Sequence, residues 1–178
     1  MASQLKVNEI IKQSGSSITI GEAGDTASGI FTNTPAFSAK MSAAQSISND
    51  TETKIAYDTE IVDTDSAYDH STNYRFTVPS NEAGKYFIGA SIRSGSVTDT
   101  KKITMTFRKN GSEVPQHFAS TASSNGSEQY TVAVHDVLDL SVGDYIEVFV
   151  LHQSGSAVSF SSSSSIGSFF HGFKLIGA

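Results

Sequence analysis

From Pro35 onward the sequence is a succession of short runs of β-branched and aromatic residues separated by polar turns, and apolar and polar side chains alternate within those runs. A two-residue period puts alternate side chains on opposite faces of a strand. No segment offers a convincing long amphipathic helix, so the chain is expected to fold as an all-β sandwich or barrel. Strands are predicted over 74–78 (YRFTV), 85–92 (KYFIGASI), 102–108 (KITMTFR), 129–137, 144–152 and 168–176. Asn110-Gly111 follows the third of these runs. Both positions of a type I′ turn need positive φ, so an Asn-Gly pair between two β-runs predicts a two-residue hairpin.

The first 34 residues read differently. Leu5 to Ile11 (LKVNEII) fits a short strand or a turn and a half of helix, Ile18 to Ile20 reads as a short strand, and 21–34, with Gly24, Gly29 and Asn33, as a loop or linker. The expected organisation is an N-terminal extension over 1–34 and one β-domain over 35–178, since 178 residues give room for one ordinary core. With no cysteine, neither a disulfide framework nor a thiolate site is available, and stability must come from packing and assembly. A net charge of -6 with only 12 scattered Lys and Arg opposes nucleic-acid binding. Polar residues interrupt the apolar positions of the first 20 residues, and no apolar run approaches a membrane span, so neither a secretory signal nor membrane insertion is expected. The chain is expected to be made in the cytoplasm of its producing cell and to leave by lysis or as part of a particle.

Two strands carry apolar residues on both faces. Over 145–151 one face shows Ile146, Val148 and Val150 and the other Tyr145, Glu147, Phe149 and Leu151. Over 168–176 one face shows Phe169, His171, Phe173 and Leu175 and the other Phe170, Gly172, Lys174 and Ile176. A sandwich needs only one buried face per sheet, so the second face is expected to meet a partner, most economically another copy of the chain.

The order of these segments resembles the globular heads of C1q-like proteins, in the wider superfamily that includes tumour necrosis factor. Ala36-Phe37-Ser38-Ala39 resembles the opening strand. Asn73 to Pro79 (NYRFTVP) followed by Ala83-Gly84-Lys85-Tyr86-Phe87 is similar to the central aromatic strand, Pro and Gly-x-Tyr-x-Phe. Leu140 to Val148 (LSVGDYIEV) and Ser168 to Ile176 (SFFHGFKLI) resemble the later strands. The resemblance implies a ten-stranded jelly roll, forming a homotrimer through aromatic-rich strands, with Phe37, Tyr86, Tyr145, Phe149, Phe169, His171 and Phe173 as trimer-interface or core candidates. A collagen-like stalk is absent from the sequence. The leading segment from Ala2 to Ile11, with Ser14-Gly15 and Ile18 to Gly21, resembles the N-termini of tailed-phage fibre proteins, which implies Leu5, Val7, Ile10 and Ile11 as virion-docking candidates.

Catalytic and metal chemistry is sparse. The histidines His70, His117, His135, His152 and His171 are far apart, with no i, i+2 or i, i+4 pair, and read as surface or packing residues. His171 is the exception worth following: near a three-fold axis, its protonation would bring like charges together. Asp58, Glu60, Asp63, Asp65 and Asp69 form an acidic stretch in which calcium is conceivable, but the spacing is not that of the twelve-residue calcium loop, and a solvated acidic strand-loop-strand is expected. The serine run 161–165 has no nucleophile elbow or positioned base, and reads as a hydroxyl-rich loop. Tyr57, Tyr68 and Tyr74 are read as core rather than sugar platforms. The expected protein is therefore not an enzyme and needs no cofactor. It is a homotrimeric virion component, a tail-fibre or receptor-binding part anchored by its N-terminus to other virion proteins and facing a host-surface glycan or protein. The alternatives are a capsid decoration protein at three-fold sites, or a soluble C1q-like ligand-binding module.

Overall fold

The structure, a computed structural model, describes residues 35–95, 102–120, 129–161 and 168–175, with backbone alone at 116–120 and 161. The predicted N-terminal elements and their docking candidates Leu5, Val7, Ile10 and Ile11 lie outside the described residues, as does most of the 161–165 serine run.

The described chain is all strand and connection. Its strands are β1 (Ala36–Lys40), β2 (Gln45–Ile47), β3 (Thr53–Lys54), β4 (Thr59–Asp63), β5 (Tyr68–Asp69), β6 (Arg75–Thr77), β7 (Gly84–Ser94), β8 (Ile103–Lys109), β9 (Ser112–Ser120), β10 (Thr131–Leu140), β11 (Tyr145–His152), β12 (Val158–Ser161) and β13 (Phe169–Lys174). All pairings are antiparallel. One sheet of seven strands runs β2-β12-β7-β13-β1-β4, with β10 along the other side of β7. The second, of six, runs β5-β6-β11-β8-β9, with β3 on β11. This is a jelly-roll sandwich. It has thirteen strands among the described residues where ten were expected, the surplus including the two-residue β3 and β5.

The six strands predicted between 74 and 176 all appear, with ends moved by at most three residues. The Asn-Gly hairpin is present: Lys109 pairs with Ser112 across it, and Asn110 and Gly111 have φ of 54° and 80°. The Asn110 side chain then fastens the turn to β11, donating to Asp144 Oδ1 at 2.6 Å and accepting the Tyr145 N–H at 2.9 Å.

The core lies where the inner faces meet. Phe37 stacks on Phe76 at 4.6 Å and meets the edge of Phe170 at 4.9 Å, with Tyr57, Tyr68, Tyr86 and Phe107 around them. Burying such rings contributes roughly 25 cal/mol for each Å² of apolar surface removed from water. Their hydroxyls are satisfied: Tyr57 donates to Ser91 O and Tyr68 to Tyr57 O, both at 2.9 Å. Gly172 is required by this packing, since a Cβ there would lie 2.6 Å from Ile88 Cδ1 and 2.8 Å from Phe37 Cε1. Of the sequence candidates, Phe37 and Tyr86 belong to this core, at 2% and 0% exposure.

Candidate functional site on the outward face of the larger sheet

In β7, Tyr86, Ile88, Ala90 and Ile92 are fully buried in the core, so Lys85, Phe87, Gly89, Ser91 and Arg93 point the other way. The register carries this face sideways. Phe173 and Val137 flank Phe87, His171 and His135 flank Gly89, and Phe169 and Ala133 flank Ser91. The result is a field of rings: Phe87 stacks near His135 at 5.9 Å and His171 at 6.1 Å and tilts against Phe173 at 5.5 Å, while Phe169 stacks on His171 at 4.9 Å. Val137 is 51% exposed and Phe173 36%. Burial, followed by the nearby His135, lowers the His171 pKa from its ordinary value, because both disfavour the charged ring.

The outward face of the smaller sheet holds the other aromatic candidates, Tyr145 and Phe149, and it is dressed with charge. The Arg75 guanidinium lies 4.0 Å over Tyr145 and that of Arg108 lies 4.4 Å over Phe149. Arg108 also pairs with Glu52, and Lys54 pairs with the largely buried Glu147 at 2.9 Å. The structure thus divides the sequence candidates into three places: Phe37 and Tyr86 inside, Tyr145 and Phe149 under arginines, and Phe169, His171 and Phe173 on the bare face.

Three residues of the bare face were not among the candidates: Phe87, His135 and Val137. The reading of the histidines as mutually distant needs correction, because His135 and His171 face each other with ring centroids 6.4 Å apart. Residues 36 apart in sequence meet because β10 and β13 both pair with β7 at Gly89, a long-range register that local spacing does not encode. His152 is a packing residue, fully buried and bonded to Ile47 O at 2.9 Å. His70 is a surface residue 3.3 Å from Glu60. The side chain of His117 is outside the described residues.

The acidic stretch is a strand-loop-strand whose carboxylates largely serve its own turns. Asp63 accepts the N–H groups of Asp65, Ala67 and Tyr68, and Asp58 accepts from Ser42. Asp69 accepts from Thr72, Ser71 and Asn73, and these bonds, the Thr72 N–H foremost, hold it well below the usual carboxylate range. Among the described residues no group of three or more His, Asp or Glu side chains could hold a metal ion. Tyr57 and Tyr68 are core, and Tyr74 is a partly exposed residue of positive φ.

An all-antiparallel jelly roll with one stripped face defines a class of binding and structural modules. The C1q domain matches residues 36–175, and the chain belongs to that family. Solved structures share the fold at low identity. The globular domain of zebrafish complement 1qA is 17% identical with a TM-score of 0.54, covering 79% of this chain and 97% of that one. Murine APRIL at pH 8.0 is 14% identical with a TM-score of 0.58, covering 79% and 98%. Eiger TNF from S. frugiperda is 13% identical with a TM-score of 0.55, covering 80% and 93%. No curated protein sequence matches the chain. Domains of this type bind and build; they are not enzymes.

Proposed function

We propose that this chain is a homotrimeric C1q-like module in which the bare face around Phe87 is the contact between copies, and that the trimer serves as a component of a phage virion, with 1–34 as its attachment segment. The observation that carries the trimer is the contrast in dressing: Phe87, Phe169, His171, Phe173 and Val137 form one continuous apolar and aromatic surface, whereas the aromatic residues of the other sheet are covered by arginines within the same chain. Contiguous exposed apolar patches on a soluble domain mark interaction surfaces, and three-fold repetition of one patch closes without leaving an open end. The virion part is supported by the fibre-like leading residues 2–21 and by the C1q match beginning only at residue 36. Membership of the C1q family alone is equally compatible with a soluble trimeric ligand-binding module.

Light scattering on the whole chain and on a chain lacking the first 34 residues tests both parts. Three times the protomer mass in both is the expected result. A monomer in both removes the trimer, and a trimer only with the extension present moves trimerisation to the N-terminus. Binding of the whole chain, but not the shortened one, to purified particles is the expected mark of attachment, and equal binding by both would favour the soluble module.

A further inference from the structure

We propose that His135 and His171 together form a binding site for a divalent transition-metal ion such as Zn²⁺ or Ni²⁺. The site is a property of one protomer, and only the number of ions per assembly rests on the trimer proposed above. Both histidines flank Gly89, and the backbone there leaves a gap that their nitrogens line from either side. A Cβ at Gly89 would lie 2.6 Å from His135 Nδ1 and 2.7 Å from His171 Nε2, so the two nitrogens converge on one spot. Zinc-bound imidazole nitrogens sit about 2.0–2.1 Å from the ion, so an ion shared by this pair would sit just outside the gap, between two rings whose planes differ by 28°.

The surroundings suit a ligand pair. Phe169 and Phe87 stack on the His171 ring and fix its plane. Among the described residues no hydrogen bond engages either imidazole, so the lone pairs are not committed elsewhere. Imidazole nitrogen selects ions such as Zn²⁺, Ni²⁺ and Cu²⁺ over Ca²⁺ and Mg²⁺, which prefer oxygen. Two ligands from one chain leave coordination positions for water or for the same residues of neighbouring copies.

The test uses the untagged full-length chain titrated with Zn²⁺ and Ni²⁺ against a chromogenic chelator at pH 7.5, with the metal-free mass measured in parallel. Wild type is expected to take up either ion. His135→Gln and His171→Gln should each weaken uptake about tenfold or more, and Gly89→Ala, which keeps both imidazoles but fills the gap, should weaken it too. On wild type alone, diluted until the proposed contact between copies is open, Zn²⁺ should protect both histidines from carbethoxylation by diethyl pyrocarbonate, a readout that needs no variant to fold. Absence of uptake by wild type, undiminished uptake by the His135→Gln/His171→Gln pair, or unprotected histidines would each overturn the site. A metal-free trimer that takes up no ion sinks this site and leaves the trimer standing. A monomer whose uptake needs both histidines does the reverse.

Discussion

The two sheets of this sandwich finish their outward faces in opposite ways, although both carry aromatic residues there. On the smaller sheet Tyr145 and Phe149 lie beneath Arg75 and Arg108, and Lys54 and Glu52 complete a mesh of paired charges. A guanidinium over a ring satisfies the aromatic surface and keeps its own outer edge in water, at about 0.5–1 kcal/mol where exposed. On the larger sheet Phe87, Phe169, His171 and Phe173 touch one another instead. The charged residues of that face, Lys40, Lys85, Arg93 and Asp139, sit toward its ends by register and leave its middle uncharged. Aromatic content alone therefore does not mark a contact surface; what covers the rings does.

The sharpest way to break this comparison is to put a charge on each face in turn. Phe87→Glu should convert a trimer to monomers, a threefold drop in mass by light scattering, whereas Phe149→Glu should leave the mass unchanged. The opposite pattern would transfer the contact to the smaller sheet. A second contrast lies within β13, where neighbouring positions face opposite ways. Phe170→Ala removes a fully buried ring at the centre of the aromatic core and should cost about 3–5 kcal/mol of unfolding free energy by denaturant titration. Phe173→Ala, at a ring 36% exposed, should act chiefly on association, so its effect should shrink on dilution below the dissociation constant while that of Phe170→Ala stays.

These contrasts also show how far the sequence could be read. Alternation places Phe169, His171 and Phe173 on one side of their strand and Phe170 and Gly172 on the other, and the burial follows that division. The hairpin at Asn110-Gly111 is equally local, because its two left-handed residues are adjacent. The dressing is not local. Arg108 reaches Phe149 through β8-β11 pairing and Glu52 because β3 pairs on the other side of β11, and His135 meets His171 only because both strands register on Gly89. Such neighbours depend on which strands pair and in what register, and both are decided by the whole sandwich. Phe87 does not stand out in the sequence because it neighbours Tyr86, whose ring, not that of Phe87, enters the core.

A smaller effect tests the charge mesh. Glu147 is 7% exposed and Lys54 is its partner at 2.9 Å. Lys54→Met keeps the aliphatic stem but leaves a mostly buried carboxylate without its ammonium, and should cost on the order of 1–3 kcal/mol. Exchanging both for apolar residues, Lys54→Met with Glu147→Leu, should recover most of that loss. Failure to recover it would mean that the mesh contributes stability as well as covering rings.

The smallest effect belongs to the imidazoles. The folded protein holds the His171 pKa below its ordinary value of 6.5, so near and below that pH the unfolded chain binds more protons than the folded one. Stability attached to this group is therefore complete above about pH 6.5 and declines as the pH falls through the lowered value. Association across the same face removes more water from the ring and strengthens the penalty that burial already imposes on its charged form. The trimer should accordingly withstand greater dilution at pH 8 than at pH 5, and equal or tighter association at pH 5 would overturn this picture. His171→Gln should flatten the dependence without abolishing the trimer, because Phe87, Phe169 and Phe173 remain. The Lys109 ammonium, first among its partners, holds Asp144 down to about 2, so this carboxylate stays charged throughout that interval and contributes none of the slope. A pH profile that is unchanged in His171→Gln would assign the acid sensitivity to another part of the molecule.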